Sequence, residues 1–235
     1  MTDQKEETLI EHIEALRAVL LKSFAALAVG LVPMFFCAPY VIDILLKVIT
    51  AGHPIALNFF APMEVFMLQI KTALVLDILI CFPYIARNIW LFVLPALYDN
   101  ERKFISSIVL SSSALFIIGV LFCLFFILPL VIRFGMSFQS SNLQAVFGIN
   151  NIISLALWLS FVFGLMFQFP LITYALIRSN ITSYKVVKSK RSYVFLGILI
   201  LSGILTPPDI VSQLMLTIPT YALFEAGLFM GKKSS

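Results

Sequence analysis

Residues 90–102, with the sequence WLFVLPALYDNER, carry the groups in this chain best suited to recognising another molecule. They lie between two long apolar runs, where an ordinary short connector would be rich in Gly, Ser, Asn and Lys. This connector instead combines aromatic residues and a proline with an acidic residue that we expect to be exposed, Glu101. We therefore expect any recognition by this protein to begin here.

Motifs for catalysis or metal binding are absent from the sequence. No P-loop pattern GxxxxGK[ST], no HExxH pattern and no visible Ser/His/Asp set occurs, so ATP hydrolysis and the common hydrolytic mechanisms are not expected. Cys37, Cys81 and Cys123 are far apart within apolar runs and have no CxxC spacing, which is typical of small buried side chains. We expect neither an enzyme nor a bound metal or cofactor.

The composition is that of an integral membrane protein. Hydrophobic residues make up 61% of the chain and charged residues only 12%, and the mean hydropathy is +1.04. A soluble domain carries about 25% charged residues. The N-terminus is polar and acidic, so no cleavable signal peptide is expected. The lipid bilayer is the first expected partner, and no nucleic-acid partner is expected.

The uncharged runs predict an all-α membrane domain over 1–235 with six transmembrane helices. The predicted spans are about 23–42, 65–86, 104–130, 152–177, 192–205 and 210–230. Residues 8–22 show helical spacing of apolar residues and predict a preceding amphipathic helix. Residues 43–64 are predicted to be a connector, with Ile42–Ile49 apolar enough to lie on the membrane surface as a short helix.

The fifth and sixth spans are predicted to be short. Without the Pro207–Pro208 turn, the fifth contains about 14 helical residues, or about 21 Å, against a hydrocarbon core of about 30 Å. In the sixth, Gln213 and Glu225 leave a short apolar centre between them. Such a mismatch is relieved by local thinning of the bilayer or by partner subunits.

Asp77 is the acid closest to the middle of a predicted span. A carboxylate at that depth is costly unless it is paired or protonated. The sequence leaves two interpretations open, a functional group or a carboxyl hydrogen-bonded to a neighbouring helix. For Gln168, a polar group in the fourth span, the structural interpretation is a hydrogen bond between helices.

The distribution of basic residues predicts the topology. Most of the 16 Lys and Arg residues lie near the two termini and in 87–105 and 178–191, which six spans place on one side. Positively charged residues are retained on the cytoplasmic side. We therefore expect both termini and these two loops to be cytoplasmic.

Four sequence motifs, in order along the chain, resemble those of the TatC family, the multispanning receptor subunit of the twin-arginine protein translocase. They are HIEALR at 12–17, Phe92 followed by PALYDNER at 95–102, FGLMFQFP at 163–170 and LTPPDIVSQ at 205–213. The resemblance covers nearly the whole chain. It implies a protein of the bacterial cytoplasmic (inner) membrane, without enzymatic activity, that serves export driven by the proton gradient.

The resemblance also implies a binding site for the paired-arginine signal peptides of folded precursor proteins. An arginine guanidinium pairs bidentately with a carboxylate, so acids are expected on the cytoplasmic face. The residues expected at this site are Glu101 and Phe92 first, then Leu16, His12, Glu14, Arg17 and Gln168. Arg17 is expected to pair with Glu14 three residues earlier. Many relatives carry Glu at the position of Gln168, so this contact would be weaker in charge here.

A second set of residues is expected to serve partner contacts or structure. This set comprises Pro95, Tyr98, Glu64, Asp209, Gln213 and Glu225. Glu64 is expected to orient the outer cap or to help partner contact, Asp209 to cap the sixth helix, and Glu225 to make an intramembrane hydrogen bond. TatA-like and TatB-like single-span subunits are the implied partners, with docking near Gln213, and the chain is expected to form homo-oligomers within the complex.

Two other functions are compatible with the intramembrane polar residues. A proton-coupled secondary transporter would use Asp77, Gln168 and Glu225, although no internal repeat relates the two halves of the chain. An intramembrane aspartyl protease would require two aspartates, and only Asp77 lies in the middle of a span.

Overall fold

The computed structural model describes residues 3–50, 57–93, 102–137, 146–178, 182–206 and 210–234; side chains of 3–12, 93, 102–105 and 233–234 lie outside this description. Almost all described residues are helical, which confirms the predicted all-α class. The helices are α1 (Asp3–Thr50), α2 (Pro62–Val93), α3 (Arg102–Phe122), a π-helical turn (Cys123–Ile127), α4 (Leu128–Met136), α5 (Ile149–Met166), α6 (Phe169–Arg178), α7 (Tyr184–Ser189), α8 (Arg191–Leu205) and α9 (Ile210–Ser234).

Five helical stretches in the described part of the chain are long and apolar enough to cross a membrane. They are Ile13–Thr50, Pro62–Phe92, Ser106–Met136, Ile149–Arg178 and Ile210–Lys232. The sixth apolar helix, α8, has 15 residues and is about 22 Å long, as short as predicted. The last helix is longer than predicted, with 25 residues. Its polar residues do not interrupt it, because Gln213 and Glu225 both bond to the neighbouring α8 region.

The first helix differs from the sequence-based prediction. Residues 8–22, the span 23–42 and the first part of the expected connector form one continuous helix of 48 residues, with Pro33 and Pro39 inside it. Its last part does not lie apart on the membrane surface. Leu45 and Ile49 are buried against Leu68 of α2 and Ile153 of α5, and this burial extends the helix to Thr50.

Prolines determine the irregularities in the third and fourth spans. Pro129, which has no N–H and would clash with the carbonyl group four residues earlier, lies two residues after the end of the π-helical turn. The turn at Phe167–Gln168, just before Pro170, separates α5 from α6. The third and fourth predicted spans are therefore helical with a local break in each.

The fourth span, formed by α5 and α6, is the centre of the packing. In its most apolar window 67% of the residues are buried, against 6% for α1. One apolar cluster packs α1, α2 and α4 against α5, and a second packs the third span and α9 against α5. At one end, two short parallel strands, β1 (Leu57–Asn58) and β2 (Phe147–Gly148), join the α1–α2 and α4–α5 connections.

Candidate functional site

The antiparallel packing of α1 and α2 determines which predicted site residues share a level in the bundle. Gln69 Nε2 donates a hydrogen bond to the Phe35 carbonyl oxygen (3.1 Å), and the Asp77 carboxyl contacts Gly30. The two helices are therefore antiparallel, and residues earlier in α1 lie beside residues later in α2. From the Gly30–Asp77 contact, Leu16 and Phe92 are both about 21–23 Å away in the same direction. The two residues therefore lie at the same end of the helix pair.

The described side chains at this end differ in exposure. Glu14 and Arg17 are exposed, Leu16 is 42% exposed and Phe92 is half-buried. The surface thus combines an acid, a cation and apolar groups. Glu101, expected to provide the main carboxylate, and Pro95 and Tyr98 lie outside the described residues, as does the side chain of His12. Asp209 is outside them as well.

The predicted ion pair between Glu14 and Arg17 is not formed. Among the described side chains, the ion pair within 4.0 Å is Arg191–Glu225. Both Glu14 and Arg17 are exposed, and an exposed pair gains little over full solvation, so each keeps its own hydration. Within the described part of the chain, neither group forms an ion pair.

One buried polar group near this end was not anticipated from the sequence. Asn88, one helical turn before Phe92, is 7% exposed, and its Nδ2 atom has no hydrogen-bond partner in the described part of the chain. No sequence motif marks Asn88 as a buried residue. An asparagine near a helix end usually serves as a cap, so its type does not predict burial.

Gln168 forms a hydrogen bond between helices, as the structural interpretation of this residue predicts. The Ser112 hydroxyl donates to its Oε1 (2.6 Å), while its Nε2 donates to the carbonyl oxygens of Ser112 (3.1 Å) and Gly164 (3.4 Å). The side chain is 8% exposed and joins the α5–α6 turn to α3. Both amide hydrogens are used, so a ligand would have to displace Ser112 to reach this group.

The other predicted partner or structural residues also make defined contacts. Glu64 Oε2 accepts hydrogen bonds from the backbone N–H groups of Phe60 (2.7 Å) and Ala61 (3.3 Å) and so caps the start of α2. Gln213 Nε2 donates to the Leu199 carbonyl oxygen (2.9 Å) and ties α9 to α8. These groups stabilise helix ends and helix pairs.

Glu225 is shared by two donors at the α8–α9 contact. Arg191 Nη2 donates to its Oε2 at 2.6 Å, and the Tyr221 hydroxyl donates to its Oε1 at 2.9 Å. The expected intramembrane hydrogen bond is therefore accompanied by an ion pair. The Arg191 partner could not be identified from the sequence, because 34 residues separate the two groups.

Asp77 is 2% exposed and lies between α1 and α2. Its Oδ1 accepts a hydrogen bond from the Cys81 thiol (3.4 Å) and contacts Gly30. No cation pairs with it in the described part of the chain. Its hydrogen bond therefore lies within α2, and the neighbouring helix α1 meets it through the Gly30 contact and not through the hydrogen bond expected in the structural alternative.

The three intramembrane polar residues do not converge on one cavity. Asp77 lies at the α1–α2 contact, Gln168 at the contact with α3, and Glu225 at the α8–α9 contact. A cavity of about 580 Å³ between α3, α6 and α9 is lined by none of them. A proton-coupled transporter would need such groups along one pathway, so the described geometry speaks against that function. No cluster of metal-ligating side chains occurs within the described ranges.

Comparison with known proteins gives one family. The family model for the Sec-independent protein translocase protein (TatC) matches residues 11–219. The chain is 36% identical to the TatC of Carboxydothermus hydrogenoformans over 98% of this chain and 95% of that protein. It is 32% identical to the TatC of Aquifex aeolicus (95% and 94% covered) and 31% identical to that of Escherichia coli (99% and 91% covered).

A solved structure has the same fold. The crystal structure of a twin-arginine translocase receptor, TatC, superimposes with a TM-score of 0.86 and 30% sequence identity. The match covers 95% of this chain and 99% of that one. The agreement therefore extends over the whole arrangement of helices and not only over single motifs.

Proposed function

The chain belongs to the TatC family of Sec-independent protein translocase proteins, and from this membership we propose that it binds the paired-arginine signal peptides of folded precursors as the receptor and core subunit of a twin-arginine translocase. The family is one of non-enzymatic membrane proteins. Export across the bacterial inner membrane draws its energy from the proton gradient, and both termini of the chain are cytoplasmic in this proposal.

The observation that carries the proposal is the shared level of Leu16 and Phe92. The register of α1 against α2 brings the end of α1 that holds Glu14, Leu16 and Arg17 beside the end of α2 that leads into residues 94–101. An arginine pair is then met by carboxylates of Glu14 and Glu101, and the apolar part of the signal by Leu16 and Phe92. Charge-assisted bidentate pairing explains why arginine is preferred to lysine.

Partner subunits are assigned to a different set of helices in this proposal. TatA-like and TatB-like single-span helices dock along α8 and the start of α9, near positions 205–216. The shortness of α8 supports this assignment, because a mismatched helix gains from a neighbouring span. Further copies of the chain complete the complex. Site-specific crosslinking from 205–216 to a single-span subunit tests the docking site, and its absence across this segment contradicts it.

Peptide binding is the direct test of the receptor function. The purified chain is titrated with a synthetic twin-Arg signal peptide and its twin-Lys counterpart, for the unmodified protein, Glu101→Ala and Phe92→Ala. Matched controls are Asp43→Ala, an exposed acid near the other end of α1, and Phe36→Ala, an exposed aromatic residue on the same helix.

The expected result is binding of the twin-Arg peptide that weakens at least about tenfold with twin-Lys or with either site variant. The control variants should bind as the unmodified protein does. Equal affinity for both peptides, or equal loss in a site variant and its control, would show that the proposed surface is not the receptor site.

A further inference from the structure

Three exposed lysines lie in the described part of the segment that joins α6 to α8. No acidic residue occurs between Arg178 and Asp209 in the sequence. Lys185, Lys188 and Lys190 are exposed, and none of them forms an ion pair with a described residue. Arg191 differs, because Glu225 already neutralises it. We refer to Lys185, Lys188 and Lys190, with Tyr184 and Tyr193, as the lysine surface.

Aromatic and apolar groups accompany these lysines. Lys188 Nζ lies 6.0 Å from the ring centroid of Tyr184, and Lys190 Nζ lies 5.0 Å from that of Tyr193. Tyr193 is 69% exposed and Val186 is 52% exposed. Exposed tyrosine, an apolar side chain and lysine within a few residues is the combination found where a protein meets the headgroup layer of a membrane.

The short length of α8 draws this surface toward the lipid headgroups. α8 is about 22 Å long, shorter than a hydrocarbon core of about 30 Å. Its level is set by the helices it packs against, since Gln213 Nε2 of α9 donates a hydrogen bond to the Leu199 carbonyl oxygen (2.9 Å) and Trp158 Nε1 of α5 donates one to the Leu205 carbonyl oxygen (2.8 Å). The bilayer must adapt instead, which brings phosphate groups to the level of Lys190.

We propose that the lysine surface binds the headgroups of anionic phospholipids and so stabilises the thinned bilayer around α8. Each lysine near an anionic leaflet adds a favourable free energy of membrane binding, and this free energy is similar from one lysine to the next. A precursor signal peptide is a poorer occupant, because its paired arginines carry the same charge as the surface. This proposal requires only that α6 and α8 lie in a bilayer, and it is independent of the proposed receptor site.

The test counts bound lipid on the full chain. Detergent-purified protein is incubated with phosphatidylglycerol or with phosphatidylcholine, and bound lipids are measured by native mass spectrometry. The test variant carries Lys185→Gln, Lys188→Gln and Lys190→Gln. The matched control carries Lys22→Gln, Lys47→Gln and Arg133→Gln, which remove the same charge from exposed positions elsewhere. A triple Lys→Arg variant at the test positions retains the charge.

The expected result is preferential binding of phosphatidylglycerol that falls at least about tenfold in the glutamine variant and is retained in the control and arginine variants. Inorganic phosphate should not displace the lipid. The proposal is overturned if phosphatidylcholine binds equally well, if the control loses as much lipid, or if phosphate competes. It is also overturned if the glutamine variant keeps its lipid while losing signal-peptide binding. Failure of the arginine variant to retain lipid would contradict it even if the glutamine variant unfolds.

Discussion

The carboxyl group of Asp77 lies directly against the α-carbon of Gly30 on the neighbouring helix. A Cβ atom at Gly30 would overlap Asp77 Oδ1 and would lie 3.1 Å from its Cγ and 3.2 Å from Cys81 Sγ. The absence of a side chain at Gly30 is therefore what allows α1 and α2 to pack with a carboxyl between them. This contact also determines the register that aligns Leu16 with Phe92.

Gly30→Ala is expected to destabilise the protein. Overpacking of this kind typically costs about 1–3 kcal/mol, and thermal unfolding in detergent measures it. Gly197→Ala in α8 is the matched control, since nothing lies within 4 Å of a Cβ there, and it should leave stability unchanged or slightly raised. Asp77→Ala combined with Gly30→Ala should recover part of the loss. Equal effects of the two glycine substitutions would contradict the close contact.

Asp77→Asn is expected to leave export unchanged. The stability of the protein should be unchanged or slightly higher. Asparagine has nearly the same shape but cannot ionise, and a charge in a membrane without a cation nearby is costly. Export of a twin-arginine precursor in cells and the unfolding temperature are the two measurements. An export defect in a normally folded Asp77→Asn protein would show that the carboxyl has a functional role.

Gln168→Leu is expected to destabilise the contact between the α5–α6 turn and α3. The substitution removes three hydrogen bonds and leaves the buried Ser112 hydroxyl without its acceptor on Gln168, at a cost of about 1–3 kcal/mol. Ser112→Ala should cost less, and the two effects should not add. Unfolding should be measured together with signal-peptide affinity. A loss of affinity without a loss of stability would instead indicate direct contact with the peptide.

The Arg191–Glu225 pair is expected to contribute modestly to the free energy of unfolding. Its side chains are 39% and 30% exposed, so water screens the attraction, and a double-mutant cycle with Arg191→Gln and Glu225→Gln should give a coupling of about 0–1 kcal/mol. Glu225→Ala should cost more than Glu225→Gln, because glutamine can still accept the Tyr221 hydrogen bond. A coupling of several kcal/mol would mean that the pair is more strongly shielded than its exposure indicates.

Local patterns in the sequence were sufficient for the all-α class of fold and for the shortness of α8. Length and hydrophobicity of each uncharged run depend only on neighbouring residues, so the short α8 could be predicted from the position of the Pro207–Pro208 turn. The four motifs at 12–17, 92–102, 163–170 and 205–213, taken in order, likewise indicated the family. Positions of Glu101, Pro95, Tyr98 and Asp209 remain predictions from the sequence.

The pairing of polar groups was decided by the tertiary structure alone. Gln168 meets Ser112 across 56 residues, Glu225 meets Arg191 across 34, and Asp77 rests on Gly30 of another helix. Such contacts depend on the rotation and register of each helix, which arise from packing of whole faces against α5. The same packing extended α1 to Thr50, because burial of Leu45 and Ile49 stabilises turns that the local sequence left open. The sequence determined which segments are apolar and long enough to enter a membrane, and the packing decided which of their polar groups meet.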